Sequence, residues 1–362
     1  MSNTVIGVND AKAVQRYSAV LATEATKASY FTSRFSGVGA DAMTPIQVYS
    51  ELDSDAGDRI NYDISAQIDV EGTQSDDILE GSEAPLTFYS SSVFIDQERI
   101  GINAGGAMTR KRTLHDLRSV AMKRQADWWA KNFDAQYFCY LSGARGVNTD
   151  YPFPTTWTGR ANNALTALDS DHIVYGGDAT VKTDLDSSDG ITLSLVDKIV
   201  AKAKSMEDLP IQPAKVDGVE AFVMVMGPYQ EWSLRTATGE ASFLAIQKAA
   251  AGADGQGNPL MKGALGMYAG VVLHAHPRVV RFSDYGNPAT VTAARALFLG
   301  SQAAVAAFGS GDRKQRWSWS EHLDDRGNQL IVTSGAIYGI RRNDYNSKAL
   351  GVIGVDTYSP AA

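Results

Sequence analysis

The chain has 362 residues, 44% hydrophobic and 20% charged, with a formal net charge of −8. That composition can bury a core in one large domain or in two or three smaller ones, and its acidic balance excludes nucleic-acid binding by the surface as a whole. The single cysteine, Cys139, excludes an internal disulfide framework and fits a reducing compartment; MSNTVIGVND shows no leader pattern, and no apolar run is long enough to span a bilayer.

The first segment, residues 1–44, holds one expected helix from Ala11 to Tyr30. Val14, Tyr17, Leu21 and Ala25 share a face of it, and Gly37-Val38-Gly39 breaks it. From 45 to 105 the period changes. Ile60, Tyr62, Ile64, Ala66 and Ile68 alternate with polar residues as in a half-buried strand, and Leu86 to Ile95 is a second strand-like run. Between them lie Asp69, Glu71, Asp76, Asp77, Glu80 and Glu83, with no basic residue among them. The pattern predicts a long two-stranded excursion with an acidic tip. An isolated hairpin is marginal in water, so such an arm gains stability by lying on another copy. No lysine occurs between Lys27 and Lys111.

The strongest helical signal runs from Thr109 to Gly143. Thr113 with Asp116 forms a capping-box-like start, and Leu114, Leu117, Ala121, Gln125 and Trp128 recur at helical spacing. Trp129, Phe133, Tyr137 and Tyr140 continue the pattern, and Gly143 suits a left-handed terminus. About 29 residues at 1.5 Å each give a rod of roughly 43 Å. Between Arg110 and Arg145 there are eight basic residues against three acidic ones, Asp116, Asp127 and Asp134. This is either a solvated face or a surface for acidic segments of neighbouring copies or a polyanion.

Asn148 to Asp178 reads as an ordered loop. Asp184, Asp186 and Asp189 resemble a calcium loop, but the spacing is late by one and Leu195 stands where a bidentate Glu is needed. Ser194 and Asp197 then cap an expected helix with Leu195, Ile199, Ala203 and Met206 on one face. Val219 to Met226 is a buried-strand pattern, Tyr229 to Ala251 one or two helices, and Val271 to Ala275 a strand. Residues 293–308 read as a small-residue helix or a strand–helix pair. Trp317 and Trp319 alternate with serines toward a turn at Asp324 to Gly327, and Leu330 to Ile340 returns as a hairpin. A last strand covers Leu350 to Tyr358.

No reaction motif emerges. There is no phosphate-binding loop and no nucleophile elbow, and the glycines at 252, 255 and 257 do not form a dinucleotide fingerprint. His274 and His276, two apart on a strand, point the same way and form the best metal pair, but no third ligand is evident. Glu321-His322 at the expected turn and His172 in a loop have no readable partner. Asp76 and Asp77 lie on the tip. Cys139 reads as a small apolar group of the helix. These residues give no catalytic, cofactor or metal assignment; the alternative is a metal-dependent hydrolase using His274 and His276.

The order of an arm, a β-excursion, a long helix and an α/β region resembles the α+β major capsid fold of tailed bacteriophages, shared with herpesvirus capsid floors and encapsulin shells. TRKRTLHDLRSVAMKRQADWWAKNFD, NPLMKGALGMYAGVVLHAH and RALFLGSQAAVAAFG resemble the phage N-four type of major capsid protein. The resemblance runs from about Val5 to the end of the sequence. It implies an N-terminal arm (1–44), an extended β-loop (45–105), a spine helix with peripheral domain (106–190), an axial domain (191–310), a peripheral-domain return hairpin (311–345) and a C-terminal strand (346–362).

The resemblance further implies a structural protein, not an enzyme. It would form pentamers and hexamers of itself in an icosahedral virion shell, assembled in the bacterial host cytoplasm around double-stranded DNA. An encapsulin-like compartment shell is the neighbouring possibility. Some relatives weld their shells through an extended-loop lysine. Without a lysine between Lys27 and Lys111 that bond has no donor, so a non-covalent shell is expected. Since the recognisable arm starts within the first residues, a separate scaffolding protein and little amino-terminal cleavage are expected. A portal and a decoration protein are further partners, DNA contact should be weak, and no membrane is involved.

Overall fold

The computed structural model describes residues 21, 23–39, 42–50, 57–65, 72–74, 80, 83, 86, 88–113, 115–206, 210–216, 219–236, 265–310 and 316–360. Residues 23–28 are helical, Ser29 interrupts, and α1 (Tyr30–Arg34) leads to β1 (Ser36–Val38) and β2 (Ile46–Tyr49). Then come β3 (Arg59–Ser65), β4 (Phe88–Phe94), β5 (Asp96–Asn103), α2 (Ala107–Arg112) and the long α3 (Leu117–Ser142). The short strands β6 (Gly159–Arg160), β7 (Asn163–Ala164) and β8 (Ile173–Tyr175) precede α4 (Leu193–Lys204). β9 (Ala214–Val216) and β10 (Val219–Met226) precede α5 (Pro228–Thr236). Among the described residues that follow, the regular elements are strands: β11 (Gly266–Tyr268), β12 (Val271–Ala275), β13 (Arg281–Tyr285), β14 (Val291–Leu299) and β15 (Ala304–Gly309). β16 (Trp317–Asp324), β17 (Gln329–Arg342), β18 (Asp344–Tyr345), β19 (Lys348–Ala349) and β20 (Val352–Tyr358) complete the chain.

Two large sheets organise these elements into an α+β fold. In the first, β1, β2, β15 and β17 are neighbours, with β5 and β16 both on β17. Residues 331–336 of β17 pair with β5 and with β16, so those two strands lie on opposite edges of it. The second sheet runs β11-β12-β10-β14-β20-β8, with β13 on β14 and β9 on β10. The chain crosses between sheets twice near its end: β15 leaves for the first sheet directly after β14, and β20 returns to the second.

The long helix stands between them. It starts at Leu117, with Asp116 as its N-cap accepting from Arg118 N (3.1 Å). Thr113 instead closes α2 and accepts from His115 N (3.2 Å). The expected start was therefore early, because Thr113 and Asp116 belong to successive helix ends rather than to one capping box. The 26 residues of α3 span about 39 Å. Gly143 adopts φ 66°, and a Cβ there would meet Thr166 O at 2.6 Å, so the helix ends where only glycine fits. From Asn132 to Ser142 every residue is buried, which makes the second half of α3 the core of the molecule. Its first half keeps an exposed stripe: Val120, Lys123, Arg124, Asp127 and Lys131.

Other expectations change for local reasons. Residues 293–308 belong to two strands, neither a helix nor a strand–helix pair; both faces of β14 and β15 are covered, and a strand buried on both faces reads as an unbroken apolar run. The α4 cap is Thr192, whose side chain accepts from Leu195 N (3.2 Å), not Ser194 or Asp197. Leu195, Ile199 and Ala203 form its buried face as expected. The last strand begins at Val352, not Leu350. The tryptophan hairpin holds: Trp317 and Trp319 point inward, Ser318 and Ser320 outward.

β3 and β4 pair antiparallel as expected, but their base does not stand free. Ile60 and Val93 are buried against Tyr49, Val305 and Ala307, and Tyr62 stacks on Tyr49 at 5.8 Å. The excursion is therefore anchored on its own first sheet. Most of the acidic tip, with Asp76 and Asp77, lies outside the described residues, as do Val14, Tyr17 and the glycines at 252–263.

Candidate functional site

The histidine pair sits in a ring-packed wall rather than around a ligand space. His274 is 1% exposed and its ring meets Phe35 at 5.4 Å and Tyr30 at 6.0 Å. His276 meets Tyr30 at 4.5 Å and stacks on Phe138 at 5.0 Å. Both do face the same side, as the i, i+2 spacing predicts, but that side is filled by the arm and α3. Burial, then Arg278, Arg34 and His274, hold the His276 pKa down to about 3, so its ring is neutral. Among the described residues no group of three or more His, Cys, Asp or Glu side chains is arranged to hold a metal ion.

The other polar candidates have structural partners. His172 Nδ1 lies 2.8 Å from Asp169 Oδ2. Glu321 sits within β16, not at the turn, and accepts from Arg118 (2.5 Å) and Trp319 Nε1 (3.0 Å), while His322 is exposed. Asp184 accepts from Thr180 Oγ1 (2.9 Å), Asp186 from Ser188 N (2.7 Å) and Asp189 from Asp186 N (2.7 Å), so the acidic loop folds on itself. Cys139 is buried within α3, and burial pushes its thiol up.

The basic excess of the long helix divides into two populations. Arg118 pairs with Glu321, Arg124 with Asp127 (3.3 Å), and Arg145 is buried, donating to the carbonyls of Asn148 (3.0 Å), Phe153 (2.9 Å) and Pro154 (3.2 Å). Asp134, counted among the acidic residues of the rod, is itself buried. What faces outward is α2 and the nearby stripe: Lys111, Arg112, Lys123 and Lys131 are exposed, and α2 carries no acidic residue. Beside them lies a groove of about 310 Å³ floored by Ile102, Leu117, Val120 and Ala121, with Thr109 and Arg124 among its lining. Met108, 60% exposed, stands on α2. An apolar groove on the same side as exposed cations of α2 and α3 suits an acidic segment carrying a few apolar side chains.

The surroundings hold this surface rigidly. Asn132 and Gln136 donate to the buried Tyr338 hydroxyl (3.1 and 2.7 Å), which donates to Glu98. Gln125 donates to Val332 O (2.8 Å) and Trp129 to Ser334 Oγ (3.0 Å). One side of α3 is thus bonded along β17, leaving the opposite stripe to solvent. The periodicity of α3 located this helix, but its clamps join residues some 200 positions apart and left no local signal.

The known proteins that this chain resembles are capsid proteins. The family described as phage capsid protein matches residues 5–361. The major capsid protein of Pseudomonas phage KPP25 is 25% identical over 346 residues, covering 88% of each chain. The capsid of Ralstonia phage GP4 superposes with a TM-score of 0.84 at 44% identity, covering 99% of each chain. The Cyanophage Pam1 capsid asymmetric unit follows the same fold, with a TM-score of 0.72 at 20% identity over 93% of this chain and 94% of that one.

Proposed function

The chain belongs to the phage capsid protein family as a major capsid protein with the tailed-phage capsid fold, and from that premise we propose how its copies close into a shell. It is a structural protein, not an enzyme. Copies assemble as pentamers and hexamers of an icosahedral virion shell around double-stranded DNA, in the host cytoplasm. The contact that sets their register is the acidic segment 69–83 of one copy against α2 and the exposed start of α3 on another. The observation that carries this reading is the split of the basic residues: several are consumed inside the chain, while Lys111, Arg112, Lys123 and Lys131 face outward beside an apolar groove. Segment 69–83 supplies six carboxylates together with Val70, Ile78 and Leu79. Charge complementarity of this kind fixes orientation and encounter more than raw affinity. Head-to-tail contacts that close by rotation produce rings.

The shell is non-covalent, because segment 28–110 holds no lysine to form a weld. A separate scaffolding protein shapes it, a portal occupies one vertex, and a decoration protein reinforces it. The net charge of −8 keeps DNA contact weak. In subdomain terms, residues 191–310 form the axial domain, residues 106–190 with the return hairpin 311–345 form the spine helix and peripheral domain, and residues 45–105 form the extended loop.

Electron microscopy of the purified chain tests the reading: rings, tubes or shells are expected, and their dissolution in denaturing electrophoresis should yield monomers alone. A protein that stays monomeric at high concentration with and without crowding agents contradicts the assembly reading, and a ladder of linked subunits contradicts the non-covalent one.

A further inference from the structure

The arm meets α3 at a buried polar contact beside a half-buried imidazole. Asp134 of α3 accepts from Ser29 Oγ (2.8 Å), Tyr30 N (3.0 Å) and Phe31 N (3.3 Å), so its carboxylate binds the first residues of α1. Arg278 Nη1 lies 3.6 Å from the same carboxylate, and Arg278 Nε lies 3.7 Å from Asp150. Next to this contact the His276 ring lies between Tyr30 of the arm and Phe138 of α3, at 4.5 and 5.0 Å.

The hydrogen bonding of that ring allows one protonation state. His276 Nδ1 accepts from the Arg278 backbone N–H at 3.2 Å. A backbone N–H only donates, so Nδ1 carries no proton here. An imidazolium has N–H on both nitrogens and would aim a proton at a donor. The charges around it oppose protonation too. Arg34 lies over the Tyr30 ring at 5.1 Å, Arg278 is two residues along the chain, and His274 shares the same wall. The acidic groups on this side, Asp134 and Asp150, are engaged with α1 and Arg278.

We propose that His276 is a proton-operated latch on the amino-terminal arm, its protonation releasing residues 23–35 from α3 while both sheets stay folded. Freed, the ring can turn away from the Arg278 N–H and carry its second proton; packed between Tyr30 and Phe138, it is held against that donor. The sign follows from the docked ring's lowered pKa. Docking is at full strength above about pH 6.5, the value of a free histidine. Below that it weakens by up to about tenfold per pH unit. Asp134 acts in the opposite direction: burial raises its pKa, so acid favours its docked form. The latch is therefore read as the difference between the unaltered chain and chains lacking the imidazole.

The test is hydrogen exchange of the full-length chain from pH 7.5 to 4.5, corrected for intrinsic rates, beside His276→Gln and His276→Phe. The Gln side chain can still accept from Arg278 N, which keeps the test open if the Phe chain does not fold. Protection of amides 30–35 should fall about tenfold between pH 6 and pH 5 in the unaltered chain, and stay level or rise in the variants. Equal pH profiles in all chains, or exposure confined to residues 276–280 with the arm still protected, would overturn the latch. Because the measurement is made on the isolated chain, its failure would leave the shell reading untouched.

Discussion

Arg295 and Asp356 stand opposite each other in the β14–β20 ladder and also meet through their side chains, Nε to Oδ1 and Nη2 to Oδ2, both at 2.7 Å. Asp356 is fully buried. The remaining arm of the guanidinium, Nη1, donates to Ser142 O at 2.7 Å, one of the last carbonyls of α3. Tyr285 adds a donor to Asp356 at 2.7 Å. One side chain thus ties the second sheet to the end of the long helix. Asp356→Ala leaves a buried guanidinium without its carboxylate and should cost about 3–5 kcal/mol, while Arg295→Met with Asp356→Leu should recover much of that loss. Denaturant unfolding followed by tryptophan fluorescence reads both, and a loss below about 1 kcal/mol for Asp356→Ala would contradict the assigned role.

The hairpin base rests on the first sheet at a place with no spare room. A Cβ on Gly339 of β17 would come 1.9 Å from Phe94 O. Phe94 is held there by Asn163, which accepts from Phe94 N (2.9 Å) and donates to its carbonyl (2.8 Å). Gly339→Ala should therefore lift β4 off the sheet at a cost of about 1–3 kcal/mol. The expected result is a folded chain with unprotected amides at 88–94 and impaired shell formation. Normal shells, with β4 as protected as before, would show that the anchorage does not matter.

The features readable in the sequence were those with a local period. Trp317 and Trp319 alternate with serines, so β16 shows its face directly, and the aromatic residues of α3 recur at helical spacing. β5 passed unseen because DQERIGIN opens with four polar residues, only Ile100 and Ile102 giving an apolar alternation. Residues 293–308 misled because a strand covered on both faces has lost its period. His274 and His276 invited a metal reading because their spacing is local, whereas the rings that pack them, Tyr30, Phe35 and Phe138, come from distant parts of the chain. Asp134 and Arg295 carried no signal at all: each bonds residues 61 or more positions away. The acidic tip and the basic surface were readable as composition, but only the structure separates the cations consumed internally from those left outside.

Alkaline pH should probe the contact between α3 and the β6–β7 hairpin. Tyr140 donates to Asn163 O (2.9 Å) and accepts from Arg160 N (2.9 Å), and burial pushes its hydroxyl up to about 12. A raised pKa means that this contribution is intact below about pH 10 and declines as pH climbs toward 12. Tyr140→Phe should cost about 1–3 kcal/mol at neutral pH, because two polar groups lose their partner, and should flatten the stability curve above pH 10. Parallel curves for the two chains between pH 9 and 11.5 would disprove the assignment.

The exposed cations of α2 give the sharpest test of how copies meet. Arg110 is partly committed, donating to Gly105 O at 2.8 Å, so Lys111 and Arg112 are the residues to change. Lys111→Glu with Arg112→Glu leaves the core untouched, since neither side chain is buried. If segment 69–83 of another copy docks here, two attractions become repulsions. Exposed ion pairs are worth about 0.2–1 kcal/mol each. Reversing two therefore costs roughly 1–3 kcal/mol per contact, which raises the concentration needed for assembly about 5- to 150-fold. Adding Asp76→Lys and Asp77→Lys to the same chain restores the complementarity with signs exchanged and should recover assembly. In 1 M salt the screening length drops to about 3 Å, so the gap between the original and reversed chains should close. Light scattering against protein concentration at low and high salt measures all of this. A reversed chain that assembles at the original concentration in low salt would remove α2 from the contact between copies.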